Sequence, residues 1–200
     1  QQEDVRYFQD NLVKEHKELF FSSAVRFLYI EELARKLDLK NIFTFDNDVL
    51  IYENLQDVIK CIPGDKNIAI TQALENELIC AMTYFRTPND LVEIAGDFKS
   101  IFRYTEEELN GLLDLNGKHP NEMGIIWLIC KKRPIDYHVF SSIPNSDTDL
   151  IFDPISYGQY ISGLSSQAGG TGEPFIDEKH FIGKQLKSDK LSCWFNTDVK

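Results

Sequence analysis

Two aspartates, Asp46 and Asp48, stand two residues apart in the stretch 41–52, Asn-Ile-Phe-Thr-Phe-Asp-Asn-Asp-Val-Leu-Ile-Tyr. Apolar and β-prone residues run up to them and resume directly after them. A buried strand selects apolar residues, so paired acids at its end need a reason. Side chains at i and i+2 of an extended chain point to the same side, which makes the two carboxylates converge. Converging carboxylates suit Mg²⁺ or Mn²⁺, hard cations that take oxygen ligands. In open α/β sheets, ligands sit beyond the carboxyl ends of the strands. The competing reading is a solvated turn between two strands. Against it, Val-Leu-Ile-Tyr follows with no Gly or Pro to make a turn.

The elements that must position this pair alternate between helix and strand. Residues 4–21 read as a helix, and Ser22 or Ser23 caps a second one to about Leu37. Val25, Leu28 and Leu33 are expected to face the core, with Glu31, Glu32, Arg35 and Lys36 toward water. Asp38-Leu-Lys-Asn turns the chain into the strand that ends at Asp46. A short helix over 54–61, a turn over 62–66 and strands at 68–70 and 78–85 follow. Pro88 opens a helix to Phe102. Residues 106–115 form another, and Asn121 caps one through Cys130. A strand at 137–140 and a polar loop at 141–149 lead to Asp153 and Pro154, which cap and open a short helix. The Gly- and Ser-rich stretch 165–174 reads as a mobile loop of the kind that is often functional. A last strand lies near 191–195. Helices alternating with strands predict an α/β fold, a mixed central sheet flanked by helices.

Two hundred residues with 42% apolar content suffice for one domain with a real core. The net charge of −11 argues against nucleic acid as a main partner. No apolar run reaches membrane-spanning length, so no membrane span is expected. Cys61, Cys80, Cys130 and Cys193 are scattered without a Cys-x-x-Cys pair, which reads as reduced core thiols of a cytoplasmic protein. The chain opens Gln-Gln-Glu-Asp and closes without a polar tail, so residues 1–200 are expected to be one domain cut at both ends.

Beyond the acidic pair, a wider set of residues resembles the GT-A glycosyltransferases, whose Asp-x-Asp holds the metal on a nucleotide-sugar diphosphate. The set comprises Arg26-Phe-Leu-Tyr-Ile-Glu-Glu-Leu, Phe45-Asp-Asn-Asp-Val-Leu-Ile-Tyr, Tyr84-Phe-Arg-Thr-Pro-Asn-Asp-Leu, Asn121-Glu-Met and Phe152-Asp-Pro-Ile-Ser-Tyr-Gly-Gln-Tyr-Ile-Ser-Gly. Its order is similar to that of bacterial and viral enzymes that build surface glycans, over roughly Arg26 to Gly183. His180-Phe-Ile-Gly-Lys resembles the late His-Phe-x-Gly motif of glycogenin-like glycosyltransferases, without the Lys-Pro-Trp that normally follows. The resemblance implies a GT-A (Rossmann-like) fold and a metal-dependent, hexosyltransferase-type activity. Asp46, Asp48 and His180 would hold Mn²⁺ or Mg²⁺, while Arg26, Asn47, Gln159 and Lys184 would contact the donor. The partners implied are a nucleotide-sugar, commonly a uridine diphosphate sugar, and a glycan acceptor. GT-A domains begin with a strand that holds the base, and nothing before Asp4 can be that strand.

On this reading the metal neutralises charge that builds on the leaving diphosphate. If the enzyme inverts, a carboxylate base near the acceptor hydroxyl is needed, and Glu122 is the first candidate and Asp153 the second. A helix N-terminus tends to keep Glu122 ionised. A retaining enzyme would not need that base. Two other classes stay open. Asp46-Asn47-Asp48 also resembles the signature of haloacid-dehalogenase-like phosphatases, but Val49 stands where those carry Gly, and the nearest downstream acids are in Gly64-Asp65 and Gly96-Asp97. A non-catalytic carbohydrate-binding or interaction domain is the other.

Overall fold

The structure, a computed structural model, describes residues 17–46, 49–74, 77–101, 103–105, 107–108, 111, 122–132, 137–141, 150 and 152. Helix α1 spans Lys17–Leu37. It runs through Ser22 and Ser23, where the sequence suggested a boundary between two helices. Serine costs a helix interior only roughly 0.5 kcal/mol, and a buried face formed by Ala24, Val25, Phe27, Leu28 and Ala34 lies just beyond it. The expected core residue Leu33 is instead 54% exposed. At about 100° per residue it points roughly 180° away from Ala24, so the buried stripe misses it. Glu31 and Glu32 pair with Arg35 and Lys36 one turn on, at 3.3 and 2.7 Å. The helix closes with Asp38 at φ 47° and a bond from the Leu39 N–H to the Ala34 carbonyl at 3.0 Å. That is a Schellman-type end, with Asp in the left-handed position more often given to Gly. Asn41 also has a positive φ, 53°, and its Oδ1 accepts from the Tyr84 hydroxyl at 2.6 Å.

Among the described residues four strands follow: β1 (Ile42–Phe45), β2 (Ile68–Leu74), β3 (Glu77–Phe85) and β4 (Tyr137–Val139). They form one mixed sheet in the order β1-β3-β2-β4. β3 is antiparallel to both β1 and β2, and β2 is parallel to β4. The fold is therefore α/β with a small mixed sheet, as expected. The strand leading to Asp46 is not a buried central one, however. Among the described residues β1 pairs on one side only, and Ile42 is its one buried residue. Four residues at a sheet edge leave Phe43, Thr44 and Phe45 partly covered.

β3 carries the main irregularity. Neighbouring β2 residues Ile70 and Thr71 pair with Thr83 and Ile79, so Cys80, Ala81 and Met82 intervene on β3. Side chains alternate along a regular strand; this bulge breaks the alternation. Leu78 and Cys80 face one core, whereas Met82 and Tyr84 face the other. β-Bulges re-aim side chains in this way, often beside functional sites.

The two faces of the sheet are covered differently. On the first, α1 packs with α3 (Pro88–Ile101) and α4 (Glu122–Lys132), and Phe27 lies between Phe98, stacked at 5.2 Å, and Phe85, edge-on at 6.4 Å. On the second, the short helix α2 (Leu55–Lys60) contributes Val58, and Phe140 stacks on Phe152 at 4.1 Å. Local signals set the helix starts. Asn54 Oδ1 accepts from the Gln56 N–H at 2.9 Å before α2. Thr87 donates from its N–H and its hydroxyl to Asp90 Oδ2, both at 2.8 Å, with Pro88 opening α3. A reciprocal capping box between Thr105 and Glu108 starts the expected helix after residue 105. Cys80 and Cys130 are buried free thiols and Cys61 is partly covered. Trp127 is partly buried against the first core, with the Lys131 ammonium 4.5 Å from its ring. No helix among the described residues is long and apolar enough to cross a membrane. Residues 4–16 of the helix expected over 4–21, the short helix after Asp153, the loop over 165–174 and the strand near 191–195 lie outside the described residues.

Candidate functional site

Asp46 directly follows β1 and continues its ladder, its N–H donating to the Ala81 carbonyl at 2.9 Å. That carbonyl belongs to the bulge. The chain then turns, for the Val49 N–H donates back to the Asp46 carbonyl at 3.2 Å. This corrects the argument that the absence of Gly and Pro after the acids excludes a turn there. Leu50 and Tyr52 are 76% and 89% exposed, and residues 49–52 form no strand. The sequence holds the cause: Asp favours the first turn position, and Asn and Asp favour turns without any Gly or Pro.

Ile42, Thr44 and Asp46 share a strand face, the one that α1 covers. Arg26, in the middle of α1, donates from Nη1 to Asp46 Oδ1 and forms an ion pair with it. The two side chains keep 23% and 36% of their surface exposed, so solvent and solutes reach the pair. Arg26 Nε is buried with no hydrogen-bond partner. The guanidinium also lies 5.3 Å from the Phe27 ring centre.

Cys80 is the hub of the cluster. Burial pushes its thiol well above the ordinary range; the Arg26 guanidinium, which it contacts, pulls it down, and Glu122 and Asp46 push it up. The thiol is thus neutral at physiological pH and is no nucleophile. Arg26 and Asp46 meet beside this sulfur, and Glu122 acts on it only through its charge. Glu122 opens α4, and its Oε2 is buried. Thr83 completes the surroundings from β3, cross-strand from Thr44, with its hydroxyl buried and without a hydrogen-bond partner.

Arg26 and Asp46, separated by 20 residues in sequence, are therefore brought together. Asn47, Asp48, Asp153, Gln159, His180 and Lys184 lie outside the described residues. Among the described residues, no three His, Cys, Asp or Glu side chains gather as a metal site. Asp46 alone fits a hard cation there, as one reachable oxygen ligand. The acids that a phosphatase would recruit are elsewhere. Asp65 sits in the turn beside Asn67 and Arg86, at the end of the sheet opposite Asp46. Asp97 lies beside Cys130, whose position on α4 is roughly 12 Å along the axis from Glu122. Cys80, Thr83 and the bulge that presents them were not legible as site features in the sequence. Comparison with protein-family models, with curated proteins and with solved structures gives no match.

Proposed function

We propose that the chain is a GT-A-type glycosyltransferase domain that moves a hexose from a nucleotide-diphosphate donor to a glycan or other hydroxyl acceptor. The observation that carries the reading is the contact of Arg26 with Asp46 at the carboxyl end of β1. Each was singled out in sequence for a different task in one reaction. Asp46, with Asp48 and His180, would hold Mn²⁺ or Mg²⁺, which would supply Lewis-acid stabilisation of the leaving diphosphate. Arg26 and Lys184 add positive charge at the phosphates, with Asn47 and Gln159 on the donor's polar groups. Glu122 stands ready as a base for the acceptor hydroxyl, and Asp153 is the reserve candidate.

A second reading draws on the ion pair itself. A carboxylate already matched to Arg26 can serve the fold alone, as in a non-catalytic carbohydrate-binding or interaction domain. Calorimetric titration of uridine and guanosine diphosphates, with and without Mn²⁺, separates the two. Mn²⁺-dependent binding that Asp46→Ala/Asp48→Ala abolishes supports the transferase. No nucleotide binding under any metal condition refutes it for this chain.

A further inference from the structure

The last turns of α1 carry an apolar ridge that the core does not use. Tyr29, Leu33 and Leu37 stand at i, i+4 and i+8 and keep 66%, 54% and 60% of their surface exposed. At 1.5 Å per residue the ridge is about 12 Å long, and it faces away from the buried stripe of Ala24, Phe27 and Ala34. We propose that this ridge pairs with the same ridge of a second copy of the chain, in an antiparallel two-fold helix contact centred on Leu33. The contact does not depend on what the Arg26–Asp46 pair binds.

Geometry, charge and area together select a second copy. Ridges of i±4n spacing pack into the grooves beside one another, the commonest contact between helices. A two-fold operator builds such a contact from one patch used twice. With Leu33 on the axis, Leu33 meets its own copy and each Tyr29 meets the other copy's Leu37. Antiparallel pairing also keeps the two basic last turns, each with Arg35 and Lys36, apart. The whole chain carries a net charge of −11, so two copies repel over most of their approach. Along the ridge the charges are already matched. Lys36 pairs with Glu32 at 2.7 Å, and Arg26, just before the ridge, pairs with Asp46. Two acidic copies can therefore meet here without pressing unmatched like charges together, and the strip offers no strong field to a charged partner.

Area sets the strength. The three residues expose roughly 350–400 Å² per copy, the size of the largest apolar patch on a typical monomer, which is often functional. Two copies bury roughly twice that, below the roughly 1,200–2,000 Å² of a stable complex. The dimer is thus weak and concentration-dependent.

Sedimentation equilibrium of the whole chain, from about 5 to about 500 µM, covers the range in which so small an interface associates. The wild type should move from 23.1 kDa toward twice that mass. Leu33→Glu and Leu33→Lys each set like charges on the axis, and each alone should stay at the monomer mass. Mixed in equal amounts they set Glu against Lys and should recover the dimer. Leu33 is an exposed position, so circular dichroism should show both variants folded like the wild type. Leu50→Glu, at a 76% exposed residue outside α1, should dimerise like the wild type. A wild type that stays at the monomer mass throughout overturns the proposal, whether another segment of the chain or a different protein then covers the ridge. Association that survives both Leu33 variants, or that mixing them fails to restore, overturns the two-fold contact. None of these outcomes touches the nucleotide titration that tests the transferase reading.

Discussion

Phe27 is the point at which packing and site meet, and Phe27→Ala is the sharpest perturbation of the fold. The side chain has no exposed surface, and its ring pairs with Phe98 at 5.2 Å and with Phe85 at 6.4 Å. Truncation removes the transfer energy of the ring and leaves a cavity between two helices and the sheet. For buried Phe→Ala the sum is about 3–5 kcal/mol. Whole domains are stable by only about 5–15 kcal/mol, so the variant should stay folded but fragile. Phe27→Leu keeps most of the apolar volume and loses two aromatic pairs at about 0.5–1.5 kcal/mol each, or about 1–3 kcal/mol in all. Urea denaturation followed by far-ultraviolet circular dichroism measures both. With m unchanged, the midpoint should fall about 1–3 M for alanine and by less for leucine. A loss below about 1 kcal/mol for Phe27→Ala would refute the docking of α1 through this ring.

Two further outcomes test the interior. Thr83→Val replaces a fully buried hydroxyl without a hydrogen-bond partner by an isostere; relief of about 1 kcal/mol should raise Tm by about 2–4 °C, whereas a fall would show that the hydroxyl is satisfied in solution. Burial, and secondarily the Lys66 ammonium, lower the His138 pKa from 6.5. The unfolded chain thus binds more protons between the folded value and 6.5, and stability falls as pH drops through that window. His138→Gln should flatten this acid limb in denaturation curves taken from pH 7 to pH 5, and an unchanged pH dependence would exclude the effect.

Several helix starts were legible because side chains set them locally, although Ser22 and Ser23, read as a cap, lie inside α1. Asn54, Thr87-Pro88 and Thr105 each announce a cap, and each is where a helix begins. The α/β class was legible from alternation. What escaped depends on pairing. Nothing in Glu-Leu-Ile-Cys-Ala-Met-Thr-Tyr-Phe marks the bulge at 80–82, because it comes from matching β3 to two neighbours at once. The edge position of β1 is likewise decided by its partner. Leu33 misled because one leucine off the stripe looks like any other until the helix phase is fixed by Phe27 and Ala34. At the site, the residue types suggested Arg26 and Asp46 separately, for phosphate and for metal. Their contact across a helix and a strand end is a tertiary fact that spacing does not encode.

The contact also bears on whether the pair serves the fold or a ligand. With about a third of Asp46 and a quarter of Arg26 exposed, the pair belongs with surface ion pairs, which contribute roughly 0–1 kcal/mol. The fold is held instead by the aromatic packing around Phe27 and by the sheet, where single residues contribute several times more. An interaction so weak is a poor staple. The energetics therefore leave Asp46 available to a ligand at little cost to stability, and a structural role for the pair requires that Arg26→Met destabilise the protein by well over 1 kcal/mol.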